Sequence, residues 1–174
     1  MCTLYTHAAV GLGLGKLVMP GRMPAQFWLL AGVLPMVPDC DGFSHAAYGS
    51  IWGHRGFTHS LSFALALGLV VAALTFWYLR VRFRLLWTFL FAATASHGVL
   101  DALTTGGEGI PFFWPLSARR DGPYGPIHWP DIGAEFPNPW RSAGVRDELL
   151  WVWLPLGVLV AVVTAYRWYR RLPA

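Results

Sequence analysis

The sequence predicts an all-α, polytopic integral membrane protein with about five transmembrane helices and one long outer loop. Three observations predict it. The 174-residue chain is 55% apolar and 16% aromatic but only 13% charged, whereas soluble domains carry charge on roughly a quarter of their residues. A single soluble core in a chain of this length cannot enclose so much apolar surface. Apolar runs approaching the thickness of a bilayer recur along the chain, separated by polar connections. One membrane domain, residues 1–174, is expected.

Residues 4–19 are apolar and glycine-rich, interrupted by His7 and Lys16. Gly11, Gly13 and Gly15 give this segment a small-residue face that another helix can approach closely. Pro20-Gly21 breaks it, and residues 23–38 form a second apolar segment containing Pro35 and Pro38. Both fall short of the ~20 residues that a ~30 Å hydrocarbon core requires, so the bilayer thins here or the helices stop below the headgroups. Residues 39–59 are a polar, glycine-bearing connection. Residues 61–79 contain no charge and make a full-length span, with Thr58 and Ser60 placed to cap its start. Arg80, Arg82 and Arg84 form a turn into the fourth span, residues 85–103, which carries His97 and Asp101 in its last two turns. Residues 104–147 are rich in proline, glycine and aromatics without a helical or strand period, a length that marks a lid or binding loop. Residues 149–166 are the fifth span, followed by Arg167, Arg170 and Arg171.

Charge sets the orientation. Lys16, Arg22, Arg80, Arg82, Arg84, Arg167, Arg170 and Arg171 gather on one face with no acidic residue. The opposite face and its boundary hold Arg55, Arg119, Arg120, Arg141, Arg146 and all nine acidic residues. The positive-inside rule puts the first face and the C-terminus in the cytoplasm, the N-terminus and the long loop outside. The basic residues are therefore a topology signal, and the net charge of +4 does not point to nucleic acid. The ten tryptophans read as interfacial anchors. Cys2 and Cys40 offer no disulfide framework, and neither a lipoprotein signal nor a cleavable signal peptide is expected.

Under this topology His7, Asp39, Asp41, His54, His59, His97 and Asp101 all fall at outer helix ends or in outer connections. The densest stretch is Gly53-His54-Arg55-Gly56-Phe57-Thr58-His59-Ser60. His97 and Asp101 are four apart, so one helix face presents both to a single ion. Imidazole with carboxylate is the ligand set of zinc, manganese or non-haem iron, and seven such groups exceed one closed site, which accommodates one or two divalent ions, zinc first. Each group also has a plainer reading. His7 alone is a polar residue bonding across helices, Asp39-Cys40-Asp41 alone is a capping turn, and His97 with Asp101 alone is a structural pair. Convergence of all seven on one face favours the metal, because ionisable groups in a span are costly and functional by default. His45 and His128 read as surface residues and Cys40 as a bystander. Arg55 and Asp101 are the candidate catalytic groups. Arg55, Arg119 and Arg120 are candidate clamps for a phosphate or carboxylate, Arg55 being equally suited to orienting Asp39 or Asp41.

These residues carry a resemblance. Thr6-His7-Ala8, Pro38-Asp39-Cys40-Asp41, the run His54 to Leu61, Ser96-His97 through Leu100-Asp101, Thr104-Thr105-Gly106, Trp114-Pro115-Leu116-Ser117 and Arg119-Arg120 resemble the family of inner-membrane, metal-dependent hydrolases that includes a LexA-regulated bacterial member. The resemblance covers residues 4–120 and implies a metal-dependent hydrolase of the inner membrane. Loop 121–147 matches no motif of that family. Recessed helix ends would let a lipid reach the site laterally, so the expected substrate is a lipid or lipid-linked phosphoester at the outer face. Two rivals stay open: a metal-ion transporter, which requires ionisable residues continuing into the inner halves of the spans, and a helix bundle that a metal merely staples.

Overall fold

A computed structural model describes every residue except 1, 20, 45, 47, 129–142 and 171–174. Helix α1 runs over Leu4–Val18, α2 over Ala25–Val33, α3 over Leu61–Leu79, α4 over Phe83–Ala102, α5 over Ala143–Glu148 and α6 over Leu154–Tyr169. A 3₁₀ segment, Leu34–Phe43, prolongs α2, and a π-helical stretch, Leu149–Trp153, joins α5 to α6. No strand occurs among the described residues, only isolated bridges that pair Thr104 with Ile127 and Ile110 with Asp121. Three helical runs are long and apolar enough to cross a membrane: Leu61–Leu79, Phe83–Ala102 and Ala143–Tyr169. Helices α1 and α2 are shorter, at 15 and 9 residues.

The glycine face of α1 is used in two directions. A Cβ at Gly11 would lie 2.0 Å from the Ala31 carbonyl oxygen of α2, and one at Gly13 would lie 2.7 Å from Leu156 of α6. Beyond α2 the prolines withhold backbone donors, and the chain continues as the 3₁₀ segment that carries Asp39 and Asp41. Helices α3 and α4 form a hairpin in which Ala64, Gly68 and Ala72, spaced by one turn, face α4. At Gly68 the approach is close enough that a Cβ would meet the Phe91 nitrogen at 2.8 Å. Arg80 makes the reversal with φ 53.

Helix α1 runs antiparallel to α4. At one end the Cys2 N–H donates to Asp101 Oδ1 at 2.9 Å, while at the other Met19 shares a core with Leu79 and Leu86. Arg167 near the end of α6 donates to the Lys16 carbonyl at 2.9 Å, so the basic turns after α1 and α3 and the end of α6 share one end of the bundle. The main core, with Phe27, Ala31, Leu86, Phe89, Leu90 and Ala93 fully buried, lies toward that basic end. Leu74 and Trp77 of α3 and Val158 and Val162 of α6 are exposed apolar residues, the surface a bilayer covers.

The last helical run starts at Ala143 rather than at the predicted residue 149. Its charges are tolerated there because Glu148 is buried and bonded: it accepts from Thr3 N, Thr3 Oγ1 and Thr6 Oγ1 at 2.6, 2.6 and 2.5 Å. The described part of the predicted lid, residues 104–128, packs onto the bundle. Thr105 N donates to Ile127 O and Tyr124 N to Ala102 O, both at 2.8 Å, and Ile110 and Ile127 are buried. The rest of that predicted loop up to residue 142, with Arg141, lies outside the described residues, as does His45.

Candidate metal centre

The histidine-rich turn folds as it does because of its glycine and its hydrogen bonds. Phe57 N reaches back to Ile51 O at 2.8 Å and Gly56 N to Gly53 O at 2.9 Å. A Cβ at Gly56 would sit 2.2 Å from the Ile51 oxygen, so only glycine fits this turn. Arg55 just before it is held at φ 61, a left-handed conformation unusual outside glycine. A short 3₁₀ turn, Phe57–His59, then delivers His59 inward. Ser60 caps α3 by accepting from Phe63 N at 3.2 Å. Thr58, predicted to share that capping role, instead donates to Asp41 Oδ2.

Four ligand atoms from three elements converge. His97 Nε2 of α4 lies 3.0 Å from His59 Nε2 and 3.3 Å from Asp39 Oδ1. His59 Nε2 lies 3.7 Å from Asp39 Oδ1 and 3.7 Å from Asp101 Oδ2, and His97 Nε2 lies 3.9 Å from Asp101 Oδ2. A tetrahedral ion with bonds of about 2.1 Å has ligand–ligand edges of about 3.4 Å. These distances bracket that value.

The hydrogen bonds behind the imidazoles say which atoms point inward. His97 Nδ1 is 2.7 Å from the Pro35 carbonyl, which can only accept, so Nδ1 carries the proton and the Nε2 lone pair faces the centre. His59 Nδ1 faces Asp41 Oδ2 at 3.2 Å, which does the same for that ring. Two imidazole lone pairs 3.0 Å apart repel unless a positive charge lies between them. Asp39 Oδ1 and Oδ2 and Asp101 Oδ2 are buried without a hydrogen-bond partner, a costly state unless something compensates it. The donor set therefore fits a divalent cation of the zinc, manganese or iron type. Without one, a proton takes that place. Burial lowers the His59 pKa, but the surrounding Asp101, Asp39 and Asp41 carboxylates outweigh it and raise the imidazole to about 10. Burial pushes Asp39 and Asp41 up, and the imidazoles that face them hold both well below the usual carboxylate range.

A second group adjoins the first. Asp41 and His54 share it with Asp39 and His59, and His54 Nδ1 is 2.7 Å from Asp41 Oδ1. His54 is also the most open of these residues, with 18% of its side chain exposed. Six of the seven predicted ligands thus come together in two overlapping groups. His7 stands just beside them, stacked on His97 with ring centroids 3.8 Å apart and Nε2 3.5 Å from Asp101 Oδ1.

The arginines are placed differently from one another. Arg55 is fully buried and donates to Gly106 O at 2.8 Å and Thr104 Oγ1 at 3.2 Å, with Nε 3.6 Å from Asp101 Oδ2. Of the two roles open to it, this is the orienting one, and the carboxylate it faces is Asp101 rather than Asp39 or Asp41. Gly107, at φ 93, makes room for it: a Cβ there would lie 2.0 Å from its Nη1. Arg120 is a latch, donating to the carbonyls of Arg55, Gly109, Gly49 and Ser50. Arg119 is largely exposed and 3.6 Å from Asp121. Neither Arg119 nor Arg120 is positioned by these contacts as a clamp over the cluster. Cys40 is exposed and free, and His128 is an exposed residue 2.5 Å from Asp147.

Several supports have no signature in the sequence. The Cys2 N–H fixes Asp101 Oδ1 and thereby turns Oδ2 inward, and the Pro35 carbonyl sets the His97 tautomer. Glu148 ties the residues before α1 to the last span; an acidic residue at the start of an apolar run reads as a cap.

The family model described as "YdjM inner membrane protein" matches residues 1–172. The chain is also 39% identical over 181 aligned positions to "Inner membrane protein YbcI" of Escherichia coli (strain K12), an alignment that covers 98% of this chain and 99% of that protein. No solved structure matches. Neither description states an activity.

Proposed function

We propose that this chain, which belongs to the YdjM inner membrane protein family, is a metal-dependent hydrolase working on a lipid or lipid-linked phosphoester at the outer face of the inner membrane. The observation that carries the reading is the buried cage of two imidazole nitrogens and two carboxylate oxygens beside a second, more open group. Asp39, His59, His97 and Asp101 would hold the ion, and Asp41 and His54 would extend the site toward solvent. A divalent ion there, zinc before manganese or iron, supplies a water of lowered pKa and polarises the scissile group. Arg55 orients Asp101. The Asp41–His54 pair can hold and exchange a proton at Nδ1, because it is the part of the cluster nearest solvent. The short α1 and α2 would recess the site below the headgroups, and Phe43, Trp52, Phe113 and Leu116, in the segments that carry or follow the ligands, are exposed apolar residues that favour a lipid.

A second reading has an observation of its own. The four-residue cage is almost wholly buried, as closed structural metal sites are, so an ion there would staple helices without turning over a substrate. Transport is less well supported, because an apolar core lies toward the basic end of the bundle. The test begins with elemental analysis of purified protein, wild type beside His59→Ala and Asp101→Asn. About one or two equivalents of metal, lost in both variants, are expected, together with chelator-sensitive hydrolysis of phosphoester lipids in vesicles. Metal without any hydrolysis leaves the staple. A wild type that takes up no metal, even after metal addition, refutes both.

A further inference from the structure

At the opposite end of the bundle the structure holds a cleft of 290 Å³ between the end of α1, the turn into α2 and the last turns of α6. Lys16, Arg22 and Arg167 line it, with Trp28 and Trp168 beside them, and no acidic residue is among its walls within the described residues. None of these three cations forms an ion pair among the described residues. Arg167 builds the wall: its guanidinium donates to the carbonyls of Lys16 and Leu17 at 2.9 and 2.5 Å, capping α1 and holding α6 against it. Those bonds go to carbonyls at the end of α1, whose partial negative charge does not cancel three full cations. Lys16 and Arg22 are exposed. Three cations with no ion pair among the described residues around one cavity attract a compact anion, and its size is close to the lower limit of small-ligand sites at about 300 Å³.

The cleft's position narrows the anion. It lies on the face that the charge distribution assigns to the cytoplasm, where the membrane leaflet is rich in acidic lipids. The outer surface of α6 beside it is apolar and uncovered, with Val158, Val162 and Tyr166 exposed, so the cleft borders the hydrocarbon. Trp168 is exposed beside it, and indole favours the headgroup level. We infer that the cleft binds the phosphate-bearing headgroup of an anionic phospholipid of the cytoplasmic leaflet, Lys16 and Arg22 meeting the phosphate against a wall fixed by Arg167. The site is separate from the metal centre and needs no hydrolytic activity.

The test uses the full chain in detergent, with retained lipid counted by native mass spectrometry and affinity measured by titration. Phosphatidylglycerol is compared with phosphatidylcholine, and inorganic phosphate is the soluble probe. Wild type is expected to prefer phosphatidylglycerol. The double variant Lys16→Ala/Arg22→Ala should bind it about 30-fold more weakly, the effect of two basic groups near an anionic surface. The exchange Lys16→Arg/Arg22→Lys should retain binding, as should Arg82→Ala/Arg84→Ala, which removes two exposed charges elsewhere on the same face. Equal losses in the two alanine pairs would mean diffuse surface charge and overturn the site. So would saturation by inorganic phosphate that displaces the lipid, or the absence of any preference for phosphatidylglycerol.

Discussion

At the end of the bundle away from the basic turns, the end that the charge distribution is expected to place outside, Asp39, His59, His97 and Asp101 bring ligand atoms within 4.8 Å of one another. At the inner end Phe27, Leu79, Leu86, Phe89 and Leu90 pack together without an ionisable group. The two ends are positioned by different means. Outer side chains are fixed by single backbone groups: the Pro35 carbonyl on His97, the Cys2 N–H on Asp101, the Gly106 carbonyl on Arg55. Apart from Arg167, which bonds the carbonyls at the end of α1, the side chains of the inner core are fixed by many weak contacts. An outer error therefore leaves a buried polar atom unpaired, whereas an inner error leaves an imperfect fit that neighbours can partly absorb.

The largest expected effect comes from removing the buried guanidinium. Arg55→Met strips the positive charge beside Asp101 and releases the Gly106 carbonyl and Thr104 hydroxyl that it satisfies. In chelated protein this should cost about 3–5 kcal/mol, as for other broken buried pairs. Thermal unfolding in detergent, followed by tryptophan fluorescence, measures it. Arg82→Met, an exposed cation at the inner end, should stay within about 0.5 kcal/mol. Similar losses for the two arginines would erase the distinction between the ends.

The next effect is smaller in stability and larger in chemistry. Gly98 of α4 lies against the backbone of a ligand residue: a Cβ there would sit 2.7 Å from the His59 carbonyl oxygen. Gly98→Ala must push that carbonyl, and with it the His59 ring that the 3₁₀ turn delivers to the centre. Overpacking of this kind costs about 1–3 kcal/mol. Metal affinity should fall by about 10–100-fold, the range seen when a ligand's support is altered, read by competition with a chromophoric chelator. Unchanged affinity would mean that the backbone at His59 does not set the cage.

The fold was legible because membrane physics simplifies the code. An uncharged run such as residues 61–79 has one stable fate in a bilayer, and the arginines at 80, 82 and 84 mark its end. The glycine spacing of α1 was legible for the same reason, since close helix approach demands small residues. The site was legible as a set, because His and Asp at outer helix ends are costly without a purpose. Three features were not. The partner of Arg55 is Asp101, 46 positions away, and a guanidinium's target has no spacing rule. Helix α5 begins within what reads as polar loop, because Glu148 is satisfied by Thr3 and Thr6 far away in the sequence. Residues 104–128 lack periodicity yet pack as an ordered cap, held by scattered backbone bonds rather than by a repeating pattern.

The smallest effect is the sharpest check on the inner end. Gly15, like Gly98, is a buried helical glycine, but it faces another helix rather than a turn. The nearest atoms to its added Cβ would be ring atoms, at 3.2 Å from both Phe27 and Trp28. Rings can shift by a few tenths of an ångström where a carbonyl in a hydrogen-bonded turn cannot. Replacing a helical glycine by alanine also favours the helix by up to about 1 kcal/mol, which offsets the crowding. Gly15→Ala should therefore leave unfolding within about 1 kcal/mol of wild type and leave metal content unchanged. Unfolding and metal content, measured beside Gly98→Ala in one detergent, make the comparison direct. If Gly15→Ala instead lowers stability and metal content as far as Gly98→Ala does, the apolar half is as rigidly set as the polar half. Packing density along the whole bundle, rather than backbone bonds at its outer end, would then be what holds the cage in place.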